Sequence, residues 1–324
     1  MTLPRRQFLH LAAGAAALPA VSRFAWAQAY PTRPITMVVP FAPGSPADTV
    51  GRVLAERMRG VLGQPIIIEN VSGAGGSIGT GRAAHAIPDG YTIDLGILST
   101  HVQNGAFYSL PYDVLNDFAP VSPLGTTASI LYARKTMQAK DLRELVDWLR
   151  TNPNKASAGI PIAGWHLLTA FFQKETATQF IFVPYRGGAL QDLLAGQIDL
   201  LFFTPNILPL VRGGSIKAYA VASDTRFALA PDIPTFGEMG LPTVSESAWY
   251  GLFAPKSTPK DIISTLNAAV VEALADPAVR ARLADLGVEV FPRDRQTPES
   301  LGAMVKADAA KWWPLIKEFG IKGE

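Results

Sequence analysis

Short apolar runs alternate along the chain with longer segments in which apolar residues recur every three to four positions. Segment 48–61 shows the second pattern, and its apolar face is formed by Val50, Val53, Leu54, Met58 and Val61. The same criteria predict strands at residues 35–40, 65–69, 91–98, 155–159, 180–184, 198–203 and 216–222. Further helices are predicted at residues 77–86, 141–150, 165–175, 189–195, 260–275, 277–286 and 298–318, with a short one from Asn206. These repeated units predict an α/β fold with mostly parallel sheets covered by helices.

The strand and helix signals weaken in two proline-containing stretches, residues 111–129 and 223–247. We interpret both stretches as crossovers between two lobes. The first lobe is then discontinuous, residues 30–125 plus 225–324, and the second lobe covers residues 126–224. In such architectures the ligand binds at the carboxyl ends of the strands and between the lobes.

The first 29 residues have the composition of an export signal. Arg5 and Arg6 precede an apolar run over residues 8–21, which is too short to span a bilayer core of about 30 Å. Small residues follow the run at spacings typical of a cleavage site, and we predict cleavage after Ala27 or Ala29. The mature protein is therefore expected in the periplasm.

The two arginines resemble a twin-arginine signal, although Pro4 stands where Ser or Thr is usual, so the general secretory route stays open. The segment contains three Arg and no acidic residue, so its removal takes the formal charge from +2 to −1. No later stretch reaches 18 apolar residues without a charge. We expect the mature chain to be soluble.

Composition excludes several classes of protein. The 324 residues include no Cys, which removes disulfides, thiolate metal sites and cysteine nucleophiles. Four His leave little material for a metal cluster, and the scattered Lys and Arg do not resemble a nucleic-acid surface. We therefore expect no metal, no cofactor and no nucleic-acid partner.

The turn after the first predicted strand is the strongest candidate site for an anion. Ser45 fits a helix N-cap, Pro46 the first helical position and Asp48 the third, as in a capping box. Backbone N–H groups at such a helix N-terminus would bind a carboxylate without a cationic side chain. An ordinary capped helix start is the alternative. The candidate ligand-binding residues here are Phe41, Pro43, Gly44, Ser45, Ala47 and Asp48.

Polar or Gly-bearing loops follow other predicted strands at corresponding places, and together they would converge from both lobes. Their candidate ligand-binding residues are Ser99, Thr100, His101, Ile160, Gly164, Trp165, Tyr185 and Thr204. Trp165 could pack against the apolar body of a ligand, whereas His101 fits a ligand contact or a structural hydrogen bond. Arg186 could pair with a ligand carboxylate or lie on the surface.

The Gly-rich segment 73–79 matches two enzyme motifs loosely. As a dinucleotide fingerprint it fails, because Ile78 stands where the third Gly is required. Ser77 does satisfy the G-x-S-x-G pattern of a hydrolase, but no His follows His166 to complete a distant triad. We predict no catalytic residue and no enzymatic activity. An exported enzyme, either a serine hydrolase using Ser77 or a cofactor-bearing oxidoreductase, is the alternative.

A set of landmarks occurs in order from residue 30 to about 260, and it includes residues 39–41, 73–79, 88–92, 110–113, 183–187, 249–252 and 254–255. In these landmarks the chain resembles the periplasmic receptors of tripartite tricarboxylate transporters, the Bug (Bordetella uptake gene) family. The resemblance implies a type II periplasmic-binding-protein fold that closes on a small carboxylate and delivers it to a membrane permease. By position, residues 41–48 and 99–101 would form a pincer on one carboxylate, and the second lobe would contribute residues 160–165, Tyr185 and Thr204. We expect a monomer.

Two departures from the family pattern concern the ligand. Ser45 stands where the family usually has a second Gly. Residues 159–165 read GIPIAGW, whereas the family usually has a small Ser- and Gly-rich run. We therefore predict a ligand with a hydrophobic or aromatic body.

Overall fold

The computed structural model describes residues 30–246 and 248–320, and their strands form two separate sheets. The strands are β1 (Ile35–Val39), β2 (Ile66–Asn70), β3 (Thr92–Ile97), β4 (Phe118–Thr127), β5 (Ser129–Arg134), β6 (Ser157–Ile160), β7 (Ile181–Pro184), β8 (Leu200–Phe203), β9 (Ile216–Ala222), β10 (Ala248–Pro255) and β11 (Val288–Val290). The predicted export signal, with its cleavage after Ala27 or Ala29, lies outside the described residues.

Helices cover the sheets and connect most of the strands. They are α1 (Pro46–Leu62), α2 (Ser77–Ala84), α3 (Asn104–Phe107), α4 (Leu142–Thr151), α5 (Ala163–Thr176), α6 (Ala189–Ala195), α7 (Leu208–Arg212), α8 (Lys260–Ala275), α9 (Pro277–Asp285) and α10 (Pro298–Glu318). The bounds predicted for residues 189–195, 216–222, 260–275 and 298–318 are confirmed, and so is the α/β fold class.

The strand order is β11-β4-β10-β3-β1-β2 in the first sheet and β7-β6-β8-β5-β9 in the second. Only four of the nine strand pairs among the described residues are parallel, so the prediction of mostly parallel sheets is wrong. The reason is that each sheet takes an antiparallel strand directly after a crossover. Strand β10 lies between β3 and β4, and β5 lies between β8 and β9.

Strands β4, β10 and β11 carry no clear signal in the sequence. Strand β4 contains Pro120 and Pro123, and its pairing with β10 shifts register twice, which accommodates residues that cannot donate to the ladder. Strand β10 is buried on both faces, so it lacks the alternation that marks a half-exposed strand.

The chain crosses from the first sheet to the second at Ala128, the single residue between β4 and β5, and returns between β9 and β10. Helices α1, α8 and α9 share a hydrophobic cluster with the first sheet. Helix α10 packs on β4 and also reaches α5, where Phe171 lies 4.7 Å from Phe319 between ring centroids.

Within the described ranges no single helix has both the length and the apolar composition needed to cross a membrane. Helices α8 and α9 reach that threshold only as a pair, and they are bent by 77° at the break between them.

Candidate ligand-binding site

A cavity of about 320 Å³ opens where the loops at the strand ends of the two sheets meet. Its walls come from the turn after β1, the end of β3, the loops before α5 and α6, the end of β8, Glu246 and residues 248–250. Nine of the residues proposed from the sequence line it, namely Phe41, Pro43, Gly44, Ser45, Ala47, Ser99, Gly164, Trp165 and Thr204.

The first wall is built by the start of α1. Ser45 is the N-cap, and its Oγ accepts a hydrogen bond from the Asp48 N–H at 3.2 Å. Gly44 has a φ of 77°, a conformation that favours glycine. The Gly44 N–H donates to Asp48 Oδ2 at 2.9 Å, and the Ser45 N–H donates to the Ala42 carbonyl at 3.1 Å. These internal bonds occupy most of the row of N–H groups expected from the sequence.

One first-turn donor stays available at this wall. The Ala47 N–H has no acceptor among the described residues, and Pro46 has no N–H. The positive end of α1 therefore presents one unbonded N–H beside the hydroxyl of Ser45.

Asp48 does not line the cavity, although the sequence suggested that it binds ligand. Its carboxylate is 2% exposed and accepts hydrogen bonds from Gly44, Asn70 and Arg52, each at 2.9 Å. Burial alone would raise the pKa of Asp48, but the hydrogen bonds outweigh it and hold the pKa below its ordinary value. Asp48 thus fixes the shape of the turn that carries Pro43, Gly44 and Ser45.

The second wall is the start of α5. Its N-cap residue, Ile162, supplies no side-chain hydrogen bond. In the described part of the chain, the N–H groups of Ala163, Gly164 and Trp165 have no acceptor, whereas the His166 N–H bonds the Ile162 carbonyl at 3.1 Å. An uncapped helix of 14 residues therefore directs unsatisfied donors towards this end of the cavity.

Trp165 forms part of the same wall. Its indole Nε1 donates to Ser129 Oγ at 2.9 Å, and its ring lies 4.9 Å from Phe203 between centroids. With the hydrogen bond satisfied within the protein, the exposed part of the ring offers an apolar surface to the cavity.

Glu246 is a lining residue that the sequence reasoning missed. It lies in the returning crossover, is 3% exposed, and accepts a hydrogen bond from Gln103 Nε2 at 2.6 Å. Burial raises the pKa of Glu246 to about 7. Arg186 and Glu246 are the two charged residues among the lining residues described, and Arg186 is exposed. Trp249 and Tyr250 line the cavity too, although the sequence marked them only as landmarks of a resemblance.

The structure places His101 in the core rather than at the cavity. The turn over Ser99–Gln103 directs its ring inwards, where it stacks on Phe253 at 3.9 Å between centroids. His101 Nε2 lies 3.4 Å from Asp94 Oδ2. Burial lowers the pKa of His101 to about 3 and raises the pKa of Asp94 to about 8, so both groups are neutral near pH 7.

Thr100, Ile160 and Tyr185 also lie outside the cavity lining. Thr100 Oγ1 donates to the Ile97 carbonyl at 3.2 Å and so closes the turn after β3. Ile160 is buried as the last residue of β6. The Tyr185 hydroxyl donates to Asp192 Oδ2 at 2.6 Å, which ties Tyr185 to α6.

Ser77, the residue of the hydrolase alternative, is a buried helix start that does not line the cavity. Its Oγ accepts a hydrogen bond from Asn104 Nδ2 at 3.0 Å. The part of the chain that the structure describes holds no group of three or more His, Asp or Glu side chains placed to hold a metal ion.

Two β-sheets covered by helices, with a cavity between their strand ends, define a two-lobed solute-binding protein. The family described as tripartite tricarboxylate transporter family receptor matches residues 50–321, and the chain belongs to this family. BugT of Bordetella pertussis is 34% identical over 303 residues, which cover 91% of this chain and 92% of BugT.

Two solved structures show the same architecture. The periplasmic binding protein BugD is 36% identical with a TM-score of 0.86, over 91% of this chain and 100% of BugD. MatC from Rhodopseudomonas palustris, solved with bound malate, is 38% identical with a TM-score of 0.84, over 89% of this chain and 100% of MatC. The family consists of periplasmic solute-binding receptors rather than enzymes, so the resemblance noted in the sequence is confirmed and the enzyme alternative does not hold.

Proposed function

We propose that this receptor binds a small carboxylate with an apolar or aromatic body in the cavity between the two sheets. The observation that carries the proposal is the unbonded N–H of Ala47 at the start of α1, which stands beside the Ser45 hydroxyl in a cavity whose walls are rich in aromatic side chains. Such donors hold an anion without a dedicated cation, and the aromatic walls cover an apolar body.

The size of the cavity supports a ligand with one ring or a short chain. Ligand pockets commonly measure about 300–1,000 Å³. At about 320 Å³ this cavity stands at the small end of that range. The bound malate of MatC supports a carboxylate as the recognised group.

The lobes that we propose are residues 30–125 plus 225–324 and residues 126–224. The separation of the strands into two sheets, with the first crossing at Ala128, supports a division into two lobes. Ligand contacts from both lobes would stabilise a closed population, and the closed receptor would deliver its ligand to the membrane permease of a tripartite tricarboxylate-type transporter. The mature protein acts as a monomer in the periplasm after cleavage at Ala27 or Ala29.

The test is a thermal-shift screen of the ligand-stripped mature protein against mono-, di- and tricarboxylic acids and aromatic acids. An acid present at about 100 times its dissociation constant adds about 2.7 kcal/mol, which raises Tm by several degrees. The amide of each acid is the matched control, because it keeps the body and removes the charge. Equal shifts with acid and amide, or no shift with any acid, would contradict the proposal.

A further inference from the structure

Glu246 stands out because it places a buried carboxyl group in the wall of a cavity that otherwise suits an anion. Among the described residues, this carboxyl group accepts one hydrogen bond, from Gln103 Nε2 at 2.6 Å. The other polar atom of that amide, Gln103 Oε1, is buried without a partner among the described residues. A buried carboxyl group with so few bonds is costly for folding, which points to a role in the cavity.

The carboxyl group lies against the uncapped start of α5. A Cβ atom at position 164 would lie 2.9 Å from Glu246 Oε1 and 3.2 Å from Oε2, so only glycine leaves room for this approach. The N–H groups of Ala163, Gly164 and Trp165 in the first turn of α5 have no acceptor among the described residues. Glu246 therefore occupies the region that a ligand carboxylate would otherwise take at that helix end.

The charged groups around Glu246 do not cancel its effect on a ligand. Lys311 and Asp308 on α10 act on its pKa in opposite directions, and Asp308 accepts a hydrogen bond from Trp249 Nε1 at 2.7 Å. On the other packed elements, the His166 pKa is lowered by burial and Gln103 is uncharged. Arg186 is the remaining charged lining residue, and it is exposed.

We propose that Glu246 is a specificity-determining residue that selects monocarboxylates with an apolar body against dicarboxylates. The inference rests on the proposed function. When ionised, Glu246 repels a second ligand carboxylate at the start of α5, while the first carboxylate binds at the α1 wall near Ala47 and Ser45. When protonated, Glu246 donates a hydrogen bond to that second carboxylate instead.

Proton linkage gives the size of the effect. Burial raises the Glu246 pKa to about 7, so the group is mostly ionised at pH 8 and mostly protonated at pH 6. A dicarboxylate that needs the protonated form then binds about tenfold more weakly at pH 8 than at pH 6. A monocarboxylate of the same length shows no such change.

The experiment measures Kd by isothermal titration calorimetry at pH 6 and pH 8. The probes are hexanoate against adipate and benzoate against terephthalate, so each pair differs only by the second carboxylate. The proteins are the mature wild type, Glu246→Gln, and Glu289→Gln as a control that removes an exposed charge from β11. The expected result is a monoacid preference of about tenfold or more at pH 8 in the wild type and control, reduced to about twofold in Glu246→Gln.

Each other outcome decides a separate question. A diacid that binds the wild type at pH 8 as tightly as its monoacid, or a Glu246→Gln variant with an unchanged preference, overturns this inference and leaves the proposed function intact. If none of the four acids binds, the proposed function fails with it. If Glu246→Gln does not fold, the wild-type pH dependence decides alone, because a diacid Kd equal at both pH values contradicts proton linkage.

Discussion

Asp48 provides the sharpest test of how the anion-binding turn is held. The change Asp48→Ala removes the acceptor of three hydrogen bonds, from Gly44, Asn70 and Arg52, each at 2.9 Å. A hydrogen bond to a charged group contributes about 1.5–3 kcal/mol, but the Arg52 side chain is 54% exposed, so its share is screened. Because the remaining two contributions are not additive, we expect the free energy of unfolding to fall by about 3 kcal/mol.

Urea denaturation followed by tryptophan fluorescence measures this change. Glu56→Ala is the matched control on the same helix, because the Glu56 side chain is 80% exposed and lies 3.9 Å from Arg59. It should alter the free energy of unfolding by less than about 0.5 kcal/mol. Asp48→Ala should also lower the affinity for a carboxylate, because the shape of the turn that carries Pro43, Gly44 and Ser45 is no longer fixed. A loss of stability no larger than that of the control would refute the reasoning.

Three further predictions concern the cavity and the core beneath it. Trp165→Ala should weaken binding of an aromatic acid by about 1–3 kcal/mol, measured by calorimetry, and an unchanged Kd would exclude the ring contact. Ser77→Ala should leave ligand binding unchanged and lower the free energy of unfolding by about 1 kcal/mol, because the Asn104 amide loses an acceptor. An ester-hydrolysis rate that is above background in the wild type and absent from Ser77→Ala would contradict a purely structural role for Ser77. The third concerns Asp94, whose pKa of about 8 in the fold compares with an ordinary value of 3.8, so folding takes up a proton. The free energy of unfolding should therefore fall as pH rises from 6.5 to 8, above the range where the lowered His101 pKa acts in the opposite sense. Asp94→Asn should flatten this slope in urea titrations, and equal slopes would show that Asp94 is not its source.

The parts of the fold that could be predicted are those with strong local signals. Helix α10 begins at Pro298 directly after Thr297, whose side chain caps the helix, so the start of α10 has a strong local signal. Strands β4 and β10 could not be predicted in the same way. Prolines interrupt the first and complete burial removes the alternation of the second, so their pairing is decided only by tertiary structure.

In the candidate site, too, the parts with local sequence signals could be predicted and the parts formed by distant residues could not. The turn around Ser45 was readable because an N-cap, a proline and an acid follow at fixed spacings. The contact of Glu246 with Gln103 and Gly164 could not be predicted, because it joins residues that are far apart in the sequence. His101 was misplaced because a strand-end position does not reveal which way the following turn directs its side chain.

The packing of α10 on α5 has a practical consequence for a fluorescent biosensor made from this receptor. Trp312 and Phe319 contact Phe171 in the middle of α5, the helix whose first turn lines the cavity. A displacement of α5 on ligand capture would alter the surroundings of the Trp312 indole, which makes intrinsic fluorescence a label-free signal of binding. Because of the same contact, an affinity tag fused directly after α10 would disturb the packing of α10 on α5. A tag on the mature N-terminus is therefore the better choice.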